Sequence, residues 1–362
     1  MTRSLARRDW LTYGVVAAVV IVLISFPSWL PPYYLTTVTR ILFYSMLAMS
    51  LSFLAGQVGM VSLAQTGLFG VAGYTMAILS VHYGLPFPVP LMVALLGTVL
   101  LAAVFGVVSM RTYGTYYLIL TLALGQILWA IALQWASVTE GFDGIQGTRP
   151  PTFAWISFND ASNFYWALLI VFLLCFVLLR AVIHSPFGLA LRGIRENPVR
   201  MAALGYPVDR LRFYAFVLAS VPAALAGTFF VQFSGIITPA TLSLDRTVWI
   251  LLVVILGGVG SLVGTVLGVI VALMFEVVVT RFTDRYLTAM GITFLLLVLF
   301  APGGIMGAFD ALRARFGWRR KANARGDPPD ESGTARLPEG GEAESADVDD
   351  TKPSNTRNAR ES

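Results

Sequence analysis

Residues 188–216 read GLALRGIRENPVRMAALGYPVDRLRFYAF and contain five arginines, one glutamate and one aspartate. The chain on both sides of this stretch is almost entirely leucine, valine, isoleucine, phenylalanine and alanine. Asn197 followed by Pro198 is typical of a helix start, because asparagine accepts from a free amide and proline has no amide hydrogen to satisfy. Gly205 is typical of a left-handed helix end, and Pro207 prevents continuation. The stretch therefore predicts a short helix between Asn197 and Gly205.

A second short helix is predicted over 187–196, with Arg192 and Arg195 on its basic side. Helices of about two turns are marginal in water and need support from neighbouring structure or from a partner. Two interpretations follow from the residues alone. The segment is either a basic loop that only anchors the chain at anionic lipids, or a docking element for another protein.

The composition of the whole chain indicates an integral membrane protein. Of the 362 residues, 57% are apolar and only 12% are charged, which is outside the usual balance of soluble domains. An apolar run over 11–30 follows three arginines and has no small-residue cleavage site after it, so it predicts a first transmembrane helix and not a signal peptide. Cys175 is the only cysteine, so neither a disulfide nor a cysteine-based metal site can form within the chain, and we expect Cys175 to be buried in the packing.

Apolar runs of membrane-spanning length predict an all-α polytopic membrane protein with about ten transmembrane helices, some of them short or discontinuous. The run over 247–256 is too short to cross a bilayer unless it is tilted or enclosed by other helices. The predicted spans are 11–30, 36–55, 61–80, 89–109, 115–135, 163–183, 213–232, 247–256, 262–280 and 286–302.

The distribution of basic residues predicts that both chain ends are cytoplasmic. With ten spans, fifteen lysines and arginines of the body lie inside and five lie outside, as the positive-inside rule requires. The five exceptions are Arg40, Arg149, Arg246, Arg281 and Arg285. Residues 1–10 form a cytoplasmic N-terminus, 11–307 the transmembrane domain, and 308–362 a basic and then acidic tail, which we expect to be cytoplasmic and disordered.

Five ordered motifs resemble the LivM-type permeases, the membrane subunits of ATP-binding-cassette importers for branched-chain amino acids. The resemblance covers about residues 36–307, with Arg200 and Met201 standing where many members carry alanines. The motifs are GQVGMVSLAQTGLFGVAGYTMAIL at 56–79, MRTYGTYYLILTLALGQIL at 110–128, GFDGIQG at 141–147, GIRENPVRMAALGYPVDRLRFYAFVLASVPAALAGTFF at 193–230, and ILGGVGSLVGTVLG with LFAPGGIMG near the end.

The resemblance implies a non-enzymatic permease in a prokaryotic plasma membrane. It implies four kinds of partner: two ATPase subunits, a second homologous permease, an extracytoplasmic substrate-binding protein and membrane lipid. The only lysines are Lys321 and Lys352, and neither lies in a P-loop, so ATP hydrolysis must belong to another chain. Residues 186–211 would be the cytoplasmic coupling segment, and its contact residues with the ATPase would be Arg195, Glu196, Asn197, Ala203, Leu204 and Gly205.

The substrates implied by the resemblance are leucine, isoleucine and valine. Urea, short amides or other amino acids are the alternative within the same importer class. An ion-coupled secondary transporter is a less favoured class, because only Glu276 is an acid near membrane depth. We expect Glu276 to pair with Arg281 or Arg285. A membrane-embedded enzyme is disfavoured, because the chain shows no catalytic cluster.

Two segments rich in glycine and polar residues predict the translocation path, since irregular backbone inside a membrane persists only where protein buries it or water reaches it. Both contain Gly-x-Val-Gly followed by Ser-Leu, at 56–63 and 257–262, which indicates a faint internal repeat. Close helix packing through small residues is the alternative. The predicted pathway residues are Gln57, Ser62, Gln65, Thr66, Ser261 and Thr265, with Thr121 and Gln126 as weaker candidates.

His82 and His184 lie at predicted span ends without a second ligand at metal spacing, so we expect no metal site. We also expect no catalytic residues, no cofactor and no nucleic-acid partner.

Overall fold

The computed structural model describes residues 32–148, 152–153, 156–157, 160–280 and 291. The predicted spans 11–30 and 286–302 and the tail 308–362 lie outside these residues. The helices are α1 (Pro32–Phe53), α2 (Gln65–Val81), α3 (Pro88–Ser109), α4 (Gly114–Gln134), α5 (Ala136–Thr139), α6 (Ala161–His184), α7 (Pro186–Glu196), α8 (Pro198–Ala203), α9 (Val208–Ser234), α10 (Leu244–Gly257) and α11 (Leu262–Val279).

Every predicted span between residues 36 and 280 is present as a helix. Among the described residues, α1, α3, α4, α6, α9 and α11 are long and apolar enough to cross a membrane. α2 has 17 residues and α10 has 14. At 1.5 Å per residue, α10 is about 21 Å long and does not cover a hydrocarbon core of about 30 Å. The predicted shortness of this span is therefore confirmed.

The prediction for 61–80 was wrong at its start. α1 ends in a π-helical turn over Leu54–Val58, and the chain then runs without helix to Gln65, where α2 begins. Gly59 has φ +76°, a left-handed conformation that glycine adopts without a side-chain clash and that ends the helical path. The residues of this interruption are largely apolar, so hydropathy alone places the start of the span too early.

α1 lies at the centre of the described bundle, and the most apolar stretch of this helix is completely buried. It packs against α6, α9, α10 and α11. In α3, α4 and α6, only 28% of the most apolar stretch is buried. α3 exposes large apolar residues such as Leu96, Leu100 and Val104. Exposed apolar helix faces of this kind suit a lipid environment or another membrane subunit. The sequence of α1 shows no polar face because protein surrounds it on all sides.

α2 and α9 cross closely because glycine occupies the crossing point. A Cβ on Gly227 would lie 1.9 Å from the backbone oxygen of Phe69. Glycine at such a position lets two helix backbones approach each other. The crossing brings α2 and α9 together beside an aromatic cluster that includes Phe43 and Phe230, whose ring centroids are 5.4 Å apart.

Short strands close one end of the bundle. β1 (Ile145–Gln146) pairs antiparallel with β4 (Ile236–Ile237), which directly follows α9. β2 (Thr152–Phe153) pairs with β3 (Ile156–Ser157). A 3₁₀ turn over Pro239–Leu242 then leads into α10. In the predicted topology, this end of the bundle faces the outside of the cell.

Candidate functional site

The two copies of the predicted repeat are both helix interruptions. The first copy contains the π-helical turn and the irregular chain before α2, and the second forms the connection between α10 and α11. Gly59 and Gly260 occupy the same place in the two copies, and both adopt left-handed conformations, with φ +76° and +92°. A left-handed φ at the same position of both copies agrees with an internal repeat.

The two interruptions are in direct contact. A Cβ on Gly56 would lie 2.0 Å from Cα of Gly260, so the two backbones touch. Ser52 Oγ accepts a hydrogen bond from the Gly260 amide at 3.3 Å, and it lies 2.8 Å from Thr265 Oγ1. Ser261 Oγ accepts from the Gly264 amide at 3.0 Å and thereby caps α11. The Gly260 amide and the Thr265 hydroxyl therefore join the second interruption to α1.

A second polar cluster surrounds Gln65. Ser50 Oγ lies 2.7 Å from Gln65 Oε1 and 2.7 Å from the backbone oxygen of Ala219 on α9. Within the described part of the chain, Gln65 Nε2 and Gln57 Oε1 are buried without a hydrogen-bond partner. Buried amide atoms in this state cost free energy unless water or a ligand satisfies them. Both glutamines thus remain candidates for the path.

The other predicted pathway residues are divided between structural and cavity positions. Ser62 is fully buried beside Tyr117. Thr121 Oγ1 accepts from the Leu63 amide at 3.1 Å, so it supports the irregular chain before α2. Gln126 is half-buried on α4. Thr66 is the member of the predicted set that lines a cavity.

The cavity has a volume of about 260 Å³ and lies among α1, α2, α9, the 3₁₀ turn and α10. Its walls are largely aromatic and aliphatic, and hydroxyl groups and two arginines interrupt them. The lining residues are Arg40, Phe43, Tyr44, Leu47, Thr66, Phe69, Phe230, Phe233, Ser234, Ile236, Thr238, Ala240, Thr241, Arg246 and Ile250. A mostly apolar cavity with a few convergent polar groups is the usual form of a small-molecule site.

The two arginines of the cavity differ in their partners. Arg40 Nη2 lies 3.5 Å from Glu276 Oε1 on α11. Glu276 is therefore ion-paired, although its partner is Arg40, and the predicted partners Arg281 and Arg285 lie outside the described residues. The Arg246 guanidinium lies 5.8 Å from the ring centroid of Tyr44 and 5.9 Å from that of Trp249. Across the described ranges, no carboxylate lies within ion-pair distance of Arg246.

α8 has the predicted cap geometry at both ends. Asn197 Oδ1 accepts from the Arg200 amide at 2.9 Å, and Gly205 has φ +85°. No residue of α8 is buried, and Val199 and Leu204 are 77% and 67% exposed. The segment therefore presents an apolar surface, which we define as Val199 and Leu204, with no described residue covering it.

α7 joins this surface to the first helix interruption. Arg195 Nη1 donates a hydrogen bond to the backbone oxygen of Gly56, and Arg195 Cγ would lie 3.0 Å from a Cβ placed on Gly59. Met201 of α8 packs on Gly193 of α7, where a Cβ would lie 2.7 Å from the Met201 sulfur. The packing explains a large residue at 201, whereas nothing in the structure explains Arg200, which is exposed.

A buried arginine fixes the start of α9 to the α3–α4 turn. Arg212 is 3% exposed, and its guanidinium donates to the backbone oxygens of Met110 and Thr112 at 3.2 and 2.7 Å. It also lies 4.0 Å above the ring of Tyr113. Tyr113 Oη donates to Asp209 Oδ1 at 2.7 Å, and this hydrogen bond raises the pKa of Tyr113.

Sequence reasoning did not identify Arg40, Arg246 or Arg212 as site residues. A signal was present for the first two, because both belong to the minority of arginines that the predicted topology places outside, where the positive-inside rule disfavours them. A basic residue on the disfavoured side, at the edge of an apolar span, needs a local reason. Arg212 gave no such signal, since it lies among other arginines of the basic segment.

Comparison with known proteins gives matches to one family of membrane permeases. The family model described as branched-chain amino acid transport system / permease component matches residues 33–301. The high-affinity branched-chain amino acid transport system permease protein LivM of Salmonella typhimurium is 25% identical over 313 residues, covering 80% of this chain and 73% of the relative. LivM of Escherichia coli is 27% identical over 292 residues, covering 74% and 68%.

The permease protein LivH of Escherichia coli is 28% identical over 141 residues, covering 38% of this chain and 46% of the relative. No solved structure has significant similarity to the chain. The match over 33–301 includes both helix interruptions, the cavity and the segment over α7 and α8. The chain therefore belongs to the family of permease components of branched-chain amino acid transport systems.

Proposed function

We propose that this chain is the permease subunit of an ATP-binding-cassette importer that carries branched-chain amino acids across a prokaryotic plasma membrane. The observation that carries this proposal is the family match over 33–301, which covers the described helical bundle from the second residue of α1 onward. The six membrane-capable helices agree with a multi-pass membrane protein. We place both chain ends in the cytoplasm, following the distribution of basic residues.

Other subunits supply the energy and capture the substrate. The chain has lysines only at 321 and 352, neither in a phosphate-binding loop, so two partner ATPases hydrolyse ATP. The similarity to both LivM and LivH supports a second, homologous permease as the membrane partner. A substrate-binding protein delivers the amino acid at the end of the bundle that carries β1 and β4.

The docking site for an ATPase is the apolar surface formed by Val199 and Leu204. Large apolar side chains at 77% and 67% exposure on a short helix need a partner, because the helix alone is marginal. An apolar helix surface that fits a groove is a common recognition mode. The contact residues predicted from the sequence are Arg195, Glu196, Asn197, Ala203, Leu204 and Gly205. To these we add Val199, and we reassign Arg195, which bonds to the Gly56 oxygen, from docking to the link with the membrane.

Motion of the docked segment reaches the membrane through Arg195. Its hydrogen bond to the Gly56 oxygen connects α7 to the first interruption, and Gly56 touches Gly260 of the second. A rigid movement of α7 and α8 therefore displaces both interruptions together. Gln57 and Gln65, with their unpaired amide atoms, lie on the part of the chain that moves.

The proposal is tested by purifying the complex with its ATPase subunits. Val199→Asp and Leu204→Asp place a charge on the docking surface, and we expect each to reduce the ATPase that co-purifies at least about tenfold, since burial of an unpaired charge is costly. Tyr83→Asp is the matched control, because Tyr83 is 70% exposed in the turn between α2 and α3. Undiminished co-purification in both variants contradicts the docking site, and a wild-type chain that retains no ATPase contradicts the importer.

The substrate class is tested by uptake into cells that lack their own branched-chain importers. We expect unlabelled leucine, isoleucine and valine to compete with labelled leucine, and urea and acetamide not to compete. If only urea or acetamide competes, the substrate of the chain is urea or a short amide, within the same importer class.

A further inference from the structure

The cavity beneath β4 contains more positive than negative charge. Arg40 and Arg246 both line it, whereas no acidic residue does. Glu276 lies 3.5 Å from one nitrogen of Arg40, and so it offsets one of the two charges. Among the described residues, no carboxylate offsets Arg246. A guanidinium is always charged and carries five hydrogen-bond donors, so the cavity has unused capacity for an anion.

Hydroxyl groups and apolar walls surround this charge. Thr66, which is 3% exposed, lines the cavity together with Thr241. The remaining wall includes Tyr44 and Phe233, and most other lining residues are aromatic or aliphatic. The volume of about 260 Å³ is below that of pockets for drug-sized ligands, roughly 300–1,000 Å³, so it suits a small molecule. The combination selects a ligand with a carboxylate at one end and an apolar group at the other.

We propose that this cavity binds the transported amino acid by its carboxylate, with Arg246 as the principal ligand and Arg40 as the second. The proposal rests on the function proposed above and adds the recognition chemistry. The Arg246 guanidinium donates two parallel hydrogen bonds to the carboxylate oxygens, in the bidentate geometry that the two groups share. Thr66 and Thr241 supply hydroxyl contacts, and the aromatic wall receives the aliphatic side chain. The amino acid reaches this cavity before it reaches the contact between Gly56 and Gly260.

The test measures binding to the purified complex of permeases and ATPases in nanodiscs, without the substrate-binding protein. The probes are labelled leucine, with 4-methylpentanoate and leucinamide as competitors. The first keeps the carboxylate and lacks the ammonium, whereas the second lacks the carboxylate charge. We expect the wild-type complex to bind leucine, 4-methylpentanoate to compete, and leucinamide to compete at least about tenfold more weakly.

Arg246→Gln removes the charge without breaking an ion pair of the described structure. We expect the affinity for leucine to fall at least about tenfold, and the preference over leucinamide to disappear. Arg246→Lys keeps the charge but loses the planar fork, so it recovers only part of the affinity. The matched control is Asp245→Asn, which changes a neighbouring exposed charge that does not line the cavity and leaves binding unchanged.

Arg40→Gln leaves Glu276 without its partner, so we test it together with Glu276→Gln. We expect this double variant to bind leucine more weakly while the complex keeps its ATPase subunits. Equal binding of leucine and leucinamide by the wild type, or wild-type affinity in Arg246→Gln, overturns the carboxylate site while ATP-driven import stands. A wild-type complex without ATP-driven leucine import overturns both proposals.

Discussion

Gly56 and Gly260 carry a contact that no larger residue permits. The two residues lie 204 positions apart in the sequence, yet their backbones touch, because both interruptions turn toward the same point. Neither glycine stands out in the sequence, since the chain contains 33 glycines and most of them suit ordinary helix packing. The repeat placed one of these glycines at the start and the other at the end of its Gly-x-Val-Gly pattern, but only the structure shows that they meet.

We predict that Gly56→Ala destabilises the protein. The added Cβ would lie 2.0 Å from Gly260 Cα, so one backbone must shift, and overpacking of this kind costs about 1–3 kcal/mol. The measurement is the melting temperature of the purified protein in detergent, taken as the temperature at which the monodisperse peak in size-exclusion chromatography is lost. Gly97→Ala is the matched control, because nothing lies within 4 Å of a Cβ there. Equal melting temperatures for the two variants would contradict the close approach.

The polar side chains show how far residue-level prediction reaches. Composition marked Ser261, Thr265 and Thr121 as polar groups in apolar helices, and the structure assigns their hydroxyls to caps and backbone contacts. A hydroxyl group can bond to nearby backbone atoms or can face a path, and a sequence does not distinguish these uses. Gln57 Oε1 and Gln65 Nε2 have no hydrogen-bond partner among the described residues, and so the two glutamines remain the stronger pathway candidates.

At the scale of elements, α7 and α8 form one unit with two different faces. The inner face holds Arg195 against the first interruption, and Met201 fastens α8 to α7. The outer face exposes Val199 and Leu204. Cap residues predicted the bounds of α8 correctly, because capping is local chemistry. The attachment of Arg195 to Gly56 was beyond prediction, because it joins positions 139 residues apart.

We predict that Arg195→Ala separates ATP hydrolysis from transport. The variant loses the hydrogen bond to the Gly56 oxygen but keeps the docking surface, so ATPase subunits stay bound and hydrolysis continues. Import of labelled leucine into proteoliposomes falls at least about tenfold, since movement of the segment no longer reaches the interruption.

Arg210→Ala is the control for Arg195→Ala, because Arg210 is an exposed arginine of the same basic segment. Arg195→Lys restores part of the import, since an ammonium can still donate to a carbonyl oxygen. A parallel loss of ATPase binding and import in Arg195→Ala would assign this residue to docking alone.

At the scale of the whole molecule, α10 and α11 form a hairpin between two landmarks. α10 begins beside the cavity at Arg246 and ends at the interruption, and α11 returns until Glu276 meets Arg40. This path agrees with the predicted alternation of spans, in which 247–256 leads inward and 262–280 leads outward. Hydropathy predicted that these helices exist and that the first is short, whereas the ion pair between Glu276 of α11 and Arg40 of α1 required the structure.

We predict that the turn after α2 faces the outside of the cell and that α7 faces the cytoplasm, following the distribution of basic residues. Cys175 is buried, so a Cys175→Ala background removes the native thiol, and single cysteines are then introduced by Tyr83→Cys and Leu189→Cys at residues 70% and 66% exposed. A membrane-impermeant maleimide applied to intact cells labels Tyr83→Cys at once. It labels Leu189→Cys only after permeabilisation, since the proposed topology places that residue on the cytoplasmic side. The reverse pattern would invert the topology and remove the cavity from the substrate's entrance.

The burial of α1 sets an order for biosynthesis. This helix enters the bilayer early, but Ser50 contacts Ala219 and Ser52 contacts Thr265, residues made 169 and 213 positions later. Until those later helices insert, lipid or a chaperone must surround the hydroxyls that protein finally encloses. A chain whose synthesis stops before α9 therefore leaves the hydroxyls of α1 without their protein partners. Such an incomplete chain exposes to quality-control proteases a surface that is buried in the finished protein.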